Sequence, residues 1–290
     1  MRDFEPEYGT VMRRIATFAG LCAVEVLPAR IAVFFHAFKS LERLPKLATS
    51  YCLSMAIAKG NIVPQAILFD LDETLTDRMP SIVRYAERFH RDFTAYLAPT
   101  EVSSIVDALL AANVRGYRPR AEVVRDFAQR LPWRTVPEIA GLRTHWETWF
   151  PRSVVARTGL AATLSALHAQ GIRLGIVTNG EVPFQAPKIA QLAITQYLST
   201  VVISEAVQVQ KPDPRIFAHA LAQLGCRAAD TWFVGDHPVN DVLGAAAVGL
   251  RAIWLTGVCP WPTDYPEAQW QIATLEDIVE LVDSERKHAT

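Results

Sequence analysis

The sequence AILFDLDETLTD, residues 66–77, decides how this chain folds. Its first four residues are apolar and end at a charge, which is typical of a central strand of a parallel sheet that is buried on both faces. Asp70 and Asp72 follow directly. Ligands of open α/β sheets bind beyond the carboxyl ends of the strands, so the pair lies where a site is expected. Side chains two residues apart on an extended chain share a face, so both carboxylates can reach one ligand.

Three later apolar runs, over residues 172–177, 201–203 and 231–234, also precede polar residues. Helical patterns lie between them, and strand and helix alternate as in a doubly wound sheet. The polar residues that follow the three runs are, in order, Thr178 and Asn179, then Lys211, then Asp236 and Asp241. Each has an ordinary structural interpretation alone, as a strand-end hydroxyl, a surface lysine or a helix cap. Their joint order is what indicates a site.

Taken together, Asp-x-Asp-x-Thr, the strand-end threonine, Lys-Pro and Gly-Asp-x4-Asp resemble the four motifs of the haloacid dehalogenase-like hydrolase superfamily, from about Ala66 to Val282. The resemblance implies a Rossmann-like parallel sheet with an inserted all-helical cap domain of type 1. It also implies phosphoryl transfer, because members that cleave carbon–halogen bonds lack an acid two residues after the nucleophile, where this chain has Asp72.

The resemblance implies a role for each carboxylate. Asp70 would be the nucleophile that forms an aspartyl-phosphate, with its second oxygen on Mg2+. Asp72 would be the general acid and then the base, and its backbone carbonyl would also face the metal. Asp236 would complete the metal site. Asp241 would either orient Lys211 or reach the metal through water.

The other motif residues would bind substrate. Thr178 and Lys211 would hold the transferring phosphoryl oxygens, and Asn179 is a further candidate donor. Residues 79–155 show four stretches of helical spacing, which predict the cap. Between two of them, the loop RGYRPR at 115–120 contains Gly and Pro, so it can aim several guanidinium groups together. Arg118 and Arg120 are therefore candidate substrate-binding residues, although a basic surface turn would look the same.

These patterns predict three parts of the chain: an N-terminal extension over 1–60, a core domain over 61–78 and 156–290, and the cap over 79–155. The extension has apolar patches that charges interrupt, and its first ten residues include three acids, unlike a signal peptide. Two interpretations stay open. The segment forms amphipathic helices that pack on the domain or on a membrane surface, or it lies upstream of a natural start at Met55.

Composition excludes several classes of protein. Half of the 290 residues are hydrophobic, which suffices for a full core. The net charge of −1 argues against a nucleic-acid surface. The four cysteines show neither a metal-ligand nor a redox spacing, which favours a reducing cytoplasm. No run of 18 uncharged apolar residues predicts a transmembrane helix. The oligomeric state stays open.

The sequence therefore predicts a Mg2+-dependent hydrolase of small phosphorylated metabolites. One alternative is a binding or regulatory protein that keeps the fold and docks on a partner or membrane through its N-terminal segment. Intact Asp70, Asp72, Lys211 and Asp236 argue against it. A haloacid dehalogenase is a more distant alternative.

Overall fold

A central parallel sheet organises the chain. The computed structural model describes residues 63–113, 119–263, 265 and 267–289. Its strands are β1 (Ala66–Phe69), β2 (Thr76–Asp77), β3 (Val155–Ala156), β4 (Arg173–Thr178), β5 (Leu198–Ile203), β6 (Thr231–Gly235), β7 (Arg251–Leu255) and β8 (Trp270–Ile272). Six of them form one sheet in the order β5-β4-β1-β6-β7-β8, and every neighbouring pair is parallel.

Helices lie between the strands. They are α1 (Arg78–Phe93), α2 (Val102–Ala112), α3 (Arg120–Gln129), α4 (Ile139–Trp149), α5 (Leu160–Ala169), α6 (Val182–Gln191), α7 (Ser204–Val207), α8 (Pro214–Leu224), α9 (Gly244–Ala247) and α10 (Asp277–Ala289). Short 3₁₀ turns cover Pro151–Ser153, Thr195–Tyr197 and Ala228–Asp230, and a π-helical turn covers Pro238–Leu243. Among the described residues, these helices are all too short or too polar to cross a membrane.

Strand β1 lies at the centre of the sheet because all four of its residues are apolar and fully buried. Ile67 and Phe69 belong to one apolar cluster, and Ala66 and Leu68 to another, so helices cover both faces. Phe69 is in register with Ile176 of β4 and Val234 of β6. The carboxyl ends of three neighbouring strands therefore meet at one edge.

The segment between β2 and β3, here called the helical insertion, contains α1 to α4 and has its own aromatic core. Phe89 packs against Phe127 with ring centroids 4.9 Å apart, and Tyr85 packs edge-on against Trp146 at 5.2 Å. Phe184 of α6, which follows β4 of the main sheet, belongs to the same cluster. The insertion thus packs directly on the helix that follows β4.

A two-stranded antiparallel ribbon connects the insertion to the rest of the chain. In it Thr76 of β2 is opposite Ala156 of β3, and Asp77 is opposite Val155. The two connections between the helical insertion and the rest of the chain therefore run side by side. The ribbon lies beside the predicted boundaries at 78 and 156, although the division into domains stays a prediction. The predicted extension lies outside the described residues.

The predicted α/β class with a parallel sheet is confirmed. The stretch around Trp270 forms the edge strand β8, which pairs with Ile253 to Leu255 of β7. A strand of three residues is too short for its sequence to show an alternation of apolar and polar side chains. The helical segment over residues 238–247 begins as a π-helical turn, in which Asp241 lies, and continues as α9. Side-chain bonds to the neighbouring loop, described below, accompany that turn.

Candidate active site

Lys211 lies buried between two carboxylates. Its Nζ donates to Oδ1 of Asp70 and to Oδ1 of Asp241, at 2.6 Å in each case. The lysine is 3% exposed. Burial alone would lower the pKa of Lys211, but the charges and hydrogen bonds of Asp241 and Asp70 outweigh it, so the pKa lies above its ordinary value. The two carboxylates therefore favour the charged form of the ammonium group.

The carboxylates outnumber this lysine. Asp70, Asp236 and Asp241 are all buried and each brings an oxygen within 4.8 Å of the others. Burial raises the pKa of Asp70 to about 7 although Lys211 opposes it, and burial with the charge of Asp241 raises the pKa of Asp236 to about 8. Three converging carboxylate oxygens with excess negative charge are a donor set that suits a hard divalent cation such as Mg2+. The residues thus fit the metal that the resemblance implies.

Backbone and hydroxyl groups fix the positions of these carboxylates. The backbone N–H of Asp236 donates to Oγ1 of Thr74 at 3.1 Å, and this hydroxyl donates back to Oδ1 of Asp236 at 3.3 Å. The N–H of His237 donates to Oδ2 of Asp241 at 2.9 Å. A Cβ at Gly235 would lie 2.5 Å from the Asp241 side chain, so only glycine lets β6 pass this close. The loop after β1 and the loop after β6 are therefore held together.

Asp72 has different partners from Asp70. Lys188 donates from Nζ to both carboxylate oxygens of Asp72, at 2.7 and 2.8 Å, and Gln185 donates from Nε2 to Oδ2 at 2.9 Å. Burial raises the pKa of Asp72, but the charge and hydrogen bonds of Lys188 and Gln185 outweigh it, so the pKa lies below 3.8. The side chain of Asp72 is 46% exposed and lines the same cavity as Asp70. It does not belong to the three-carboxylate cluster.

Thr178 and Asn179 lie at the end of β4, next to this pair. Gln185 donates from the same Nε2 to Oγ1 of Thr178 at 2.7 Å. The amide of Asn179 brackets the backbone of Lys211: its Nδ2 donates to the carbonyl at 3.0 Å, and its Oδ1 accepts from the N–H at 2.7 Å. The Asn179 side chain therefore positions the Lys211 loop. Its predicted contact with substrate stays a prediction.

A cavity of about 580 Å³ lies above these groups, between the sheet edge and the helical insertion. Arg120 lines it, but its charge is already compensated. Its Nη1 donates to Oε2 of Glu181, and its guanidinium carbon lies 3.4 Å from the ring centroid of Phe184. Arg120 thus connects α3 to the N-terminal end of α6, and substrate contact by it stays a prediction. Arg118 lies outside the described residues.

A sequence model described as haloacid dehalogenase-like hydrolase matches residues 67–255, well over half of the chain. The chain belongs to this family. Its matched region includes every motif residue of the cavity and the whole helical insertion, so the predicted family membership is confirmed.

Curated relatives of this haloacid dehalogenase-like hydrolase are phosphatases. Phosphoglycolate phosphatase from Yersinia pestis is 31% identical over 202 residues, which cover 66% of this chain and 81% of the relative. Glyceraldehyde 3-phosphate phosphatase from Pyrococcus abyssi is 28% identical over 229 residues, which cover 76% and 94%. The predicted class of enzyme, a phosphatase-type member of the family, is confirmed by these relatives.

A solved structure shows the same fold. The HAD-hydrolase YfnB from Bacillus subtilis, bound to magnesium, has a TM-score of 0.58 at 21% identity and covers 75% of this chain and 98% of its own. At that identity the likeness concerns the fold alone.

Sequence reasoning missed three residues that surround the motif carboxylates. Lys188 and Gln185 of α6 hold Asp72, and Arg157 donates from Nε to the carbonyl of Thr74 at 2.9 Å, which braces the loop after β1. Helical spacing offered one signal, because positions 185 and 188 are three apart and share a face of α6. This spacing does not indicate which face of α6 contacts Asp72. Arg157 offered no local signal.

Proposed function

We propose that this protein is a Mg2+-dependent phosphatase that hydrolyses small phosphate monoesters through an aspartyl-phosphate on Asp70. The main support for the proposal is that two carboxylates close in sequence lie in different environments. Asp70 belongs to the buried cluster with Lys211, whereas Asp72 is held by Lys188 and Gln185 at the cavity. Two carboxylates in different environments are suited to different roles.

Asp70 is the nucleophile in this proposal. Lys211 occupies Oδ1 of Asp70 and leaves Oδ2 to attack phosphorus, so an O–P bond forms while the bond from phosphorus to the leaving alcohol breaks. Bound Mg2+ would be held by Asp70, Asp236 and Asp241 and would supply charge neutralisation between these carboxylates and the phosphoryl oxygens. Lys211 and the Thr178 hydroxyl would bind phosphoryl oxygens beside it.

Asp72 moves the protons. It protonates the leaving alkoxide in the first step, and in the second its carboxylate takes a proton from the water that attacks the phosphoenzyme. The Asp70–phosphorus bond then breaks, and phosphate and protonated Asp72 result. Lys188 keeps Asp72 ionised before substrate arrives. A phosphoryl group beside Asp72 adds negative charge, which raises the pKa of Asp72, so the carboxylate takes up from solvent the proton that it gives to the leaving alkoxide.

The substrate is a small phosphorylated metabolite, as it is for the phosphoglycolate and glyceraldehyde 3-phosphate phosphatases among its relatives. Neither a nucleic-acid partner nor a membrane partner is part of the proposal, and a cytoplasmic location stays a prediction. A docking role for the N-terminal segment also stays a prediction, because that segment lies outside the described residues.

Trapping the intermediate tests the proposal. Asp72→Asn should still allow attack on an activated aryl phosphate, which needs no proton on its leaving group, but it lacks the base for hydrolysis. The variant is incubated with Mg2+ and the ester, quenched in acid, and weighed by mass spectrometry. We expect one added phosphoryl group on the peptide that contains Asp70, and none in Asp70→Asn.

Asp77→Asn is the matched control. Asp77 belongs to the same stretch and caps α1 by accepting from the N–H of Met79, a role that asparagine also fills. This variant should turn over like the wild type and accumulate no label. A phosphoryl group on any other residue would refute the nucleophile assignment. Wild-type turnover of alkyl phosphates by Asp72→Asn would refute its acid and base role.

A further inference from the structure

Among the residues that the structure describes, four long cationic side chains line the cavity, and three of them are neutralised by carboxylates. Lys211 is paired with Asp70 and Asp241, Lys188 with Asp72, and Arg120 with Glu181. The fourth is Arg78. Within residues 63–113, 119–263 and 267–289, no carboxylate forms an ion pair with Arg78, and the loop at 114–118 contains no acidic residue. Arg78 is therefore the cavity cation whose charge these parts of the chain leave uncompensated.

A hydrogen bond to a backbone carbonyl holds Arg78 at the wall of the cavity. Its Nη2 donates at 2.6 Å to the carbonyl oxygen of Asn113, the residue that follows α2. Arg78 and Asn113 both line the cavity, so the guanidinium lies where the start of α1 meets the end of α2. A carbonyl satisfies one N–H donor of a guanidinium and leaves the others for a ligand.

Arg78 is the first residue of α1. The first turn of this helix contains no acid, and the N-cap carboxylate of Asp77 accepts from the N–H of Met79. The N-terminus of a helix carries partial positive charge, so a cation there is unfavourable. An anion at this point would interact favourably with both the guanidinium and the helix end.

We propose that Arg78 forms a second anion subsite, which binds a carboxylate or a second phosphate on the alcohol part of the substrate ester. The inference rests on the proposed function, since the first anion subsite is the phosphoryl site at Asp70 and Lys211. Ile82, Trp146 and Phe150 line the cavity as well and give it an apolar wall. A short carbon chain with an anion at each end fits this arrangement of polar ends and apolar wall.

Three glycerol-based esters that differ in their terminal group test the subsite. Glycerol 3-phosphate ends in a hydroxyl, 3-phosphoglycerate in a carboxylate and glycerol 1,3-bisphosphate in a second phosphate. We expect kcat/KM to be at least tenfold higher for one or both of the anionic esters, mainly through KM, because a charge-assisted hydrogen bond to the terminal anion adds binding that the neutral ester lacks. Which anionic ester is preferred distinguishes a carboxylate site from a phosphate site.

Substitution of Arg78 tests whether this preference depends on the arginine. Arg78→Met should lower the ratio of kcat/KM between the anionic and the neutral ester about tenfold or more, and Arg78→Lys should restore part of it. Arg84→Met is the matched control. Arg84 lies on the same helix and also donates to a backbone carbonyl, that of Val154 at 3.0 Å, but it does not line the cavity. Its substitution should leave the ratio unchanged.

Calorimetric titration of Asp70→Asn with the same three esters measures the preference without turnover. Arg78→Met in this background should weaken binding of the anionic esters at least tenfold more than binding of glycerol 3-phosphate. Equal affinity for all three esters, or an equal effect of Arg78→Met and Arg84→Met, would overturn the subsite. Absence of phosphate release by the wild type together with an Arg78-dependent binding preference would refute the proposed function and leave the subsite standing.

Discussion

Removing one carboxylate of the buried cluster should stabilise the metal-free protein. Asp236→Asn is the informative change, because an amide has nearly the shape of a carboxylate and keeps an oxygen that can accept from Thr74. In the absence of Mg2+ the wild type buries three carboxylates with one lysine. The variant should therefore be more stable in a chelator, yet inactive and no longer stabilised by Mg2+.

The size of the expected gain in stability follows from the raised pKa of Asp236. Its carboxyl has a pKa near 3.8 when unfolded and about 8 when folded. Between these values the folded state binds one proton more than the unfolded state, so the free energy of unfolding falls by about 1.4 kcal/mol per pH unit as pH rises. Above pH 8 the free energy of unfolding has fallen by the full amount, about 6 kcal/mol. The amide has its own cost of burial, about 1–3 kcal/mol. We expect a net gain of about 3 kcal/mol at pH 8.5, or about 6–12 °C in Tm.

Urea unfolding in EDTA at pH 5 and pH 8.5 measures this gain, with the buried Trp232 as one fluorescent reporter. The wild type should lose stability between the two pH values, and Asp236→Asn should lose less, because Asp70 with its pKa of about 7 still titrates. Saturating Mg2+ should remove the decline in the wild type alone. Asp230→Asn is the control. Asp230 is a buried carboxylate just before β6, paired with Arg227 outside the cluster.

The control should be destabilised at both pH values, since it loses charge-assisted hydrogen bonds from Arg227. Equal stability of Asp236→Asn and the wild type in EDTA at pH 8.5 would refute the electrostatic reasoning. A gain of the same size at pH 5 would also refute it, because the effect would then not depend on ionisation.

Two other changes test neighbouring parts of the site. Lys188→Met removes the charge that lowers the pKa of Asp72, so the acidic limb of the pH profile of kcat should move to higher pH. If this limb does not move, Asp72 does not accept the proton from water. Gly235→Ala places a Cβ 2.5 Å from the Asp241 side chain, so it should cost about 1–3 kcal/mol in urea unfolding and weaken Mg2+ binding by calorimetry. Gly141→Ala, where a Cβ meets nothing within 4 Å, should be neutral or stabilising, and equal losses would contradict the packing argument.

The central strands of the sheet and the order of the motifs could be read from the sequence alone. Residues 66–69 are apolar without alternation, which predicts a strand buried on both faces, and the structure places β1 at the centre of the sheet. The end of a strand is visible in the sequence as the point where apolar residues stop. Because parallel strands end at one edge, Asp70, Thr178 and Asp236 could be assigned to one site before any distance was known.

Which charged side chains pair with each other could be read only from the packing of the folded chain. Asp70 and Asp72 are two residues apart in sequence, yet one pairs with Lys211 and the other with Lys188. The helical insertion shows the same limit. Arg120 and Arg78 are both arginines near the predicted cap, and the sequence favoured Arg120, which the structure pairs with Glu181. Periodicity reports which face of an element is buried, whereas the partner of a long charged side chain depends on how two elements separated in sequence pack together.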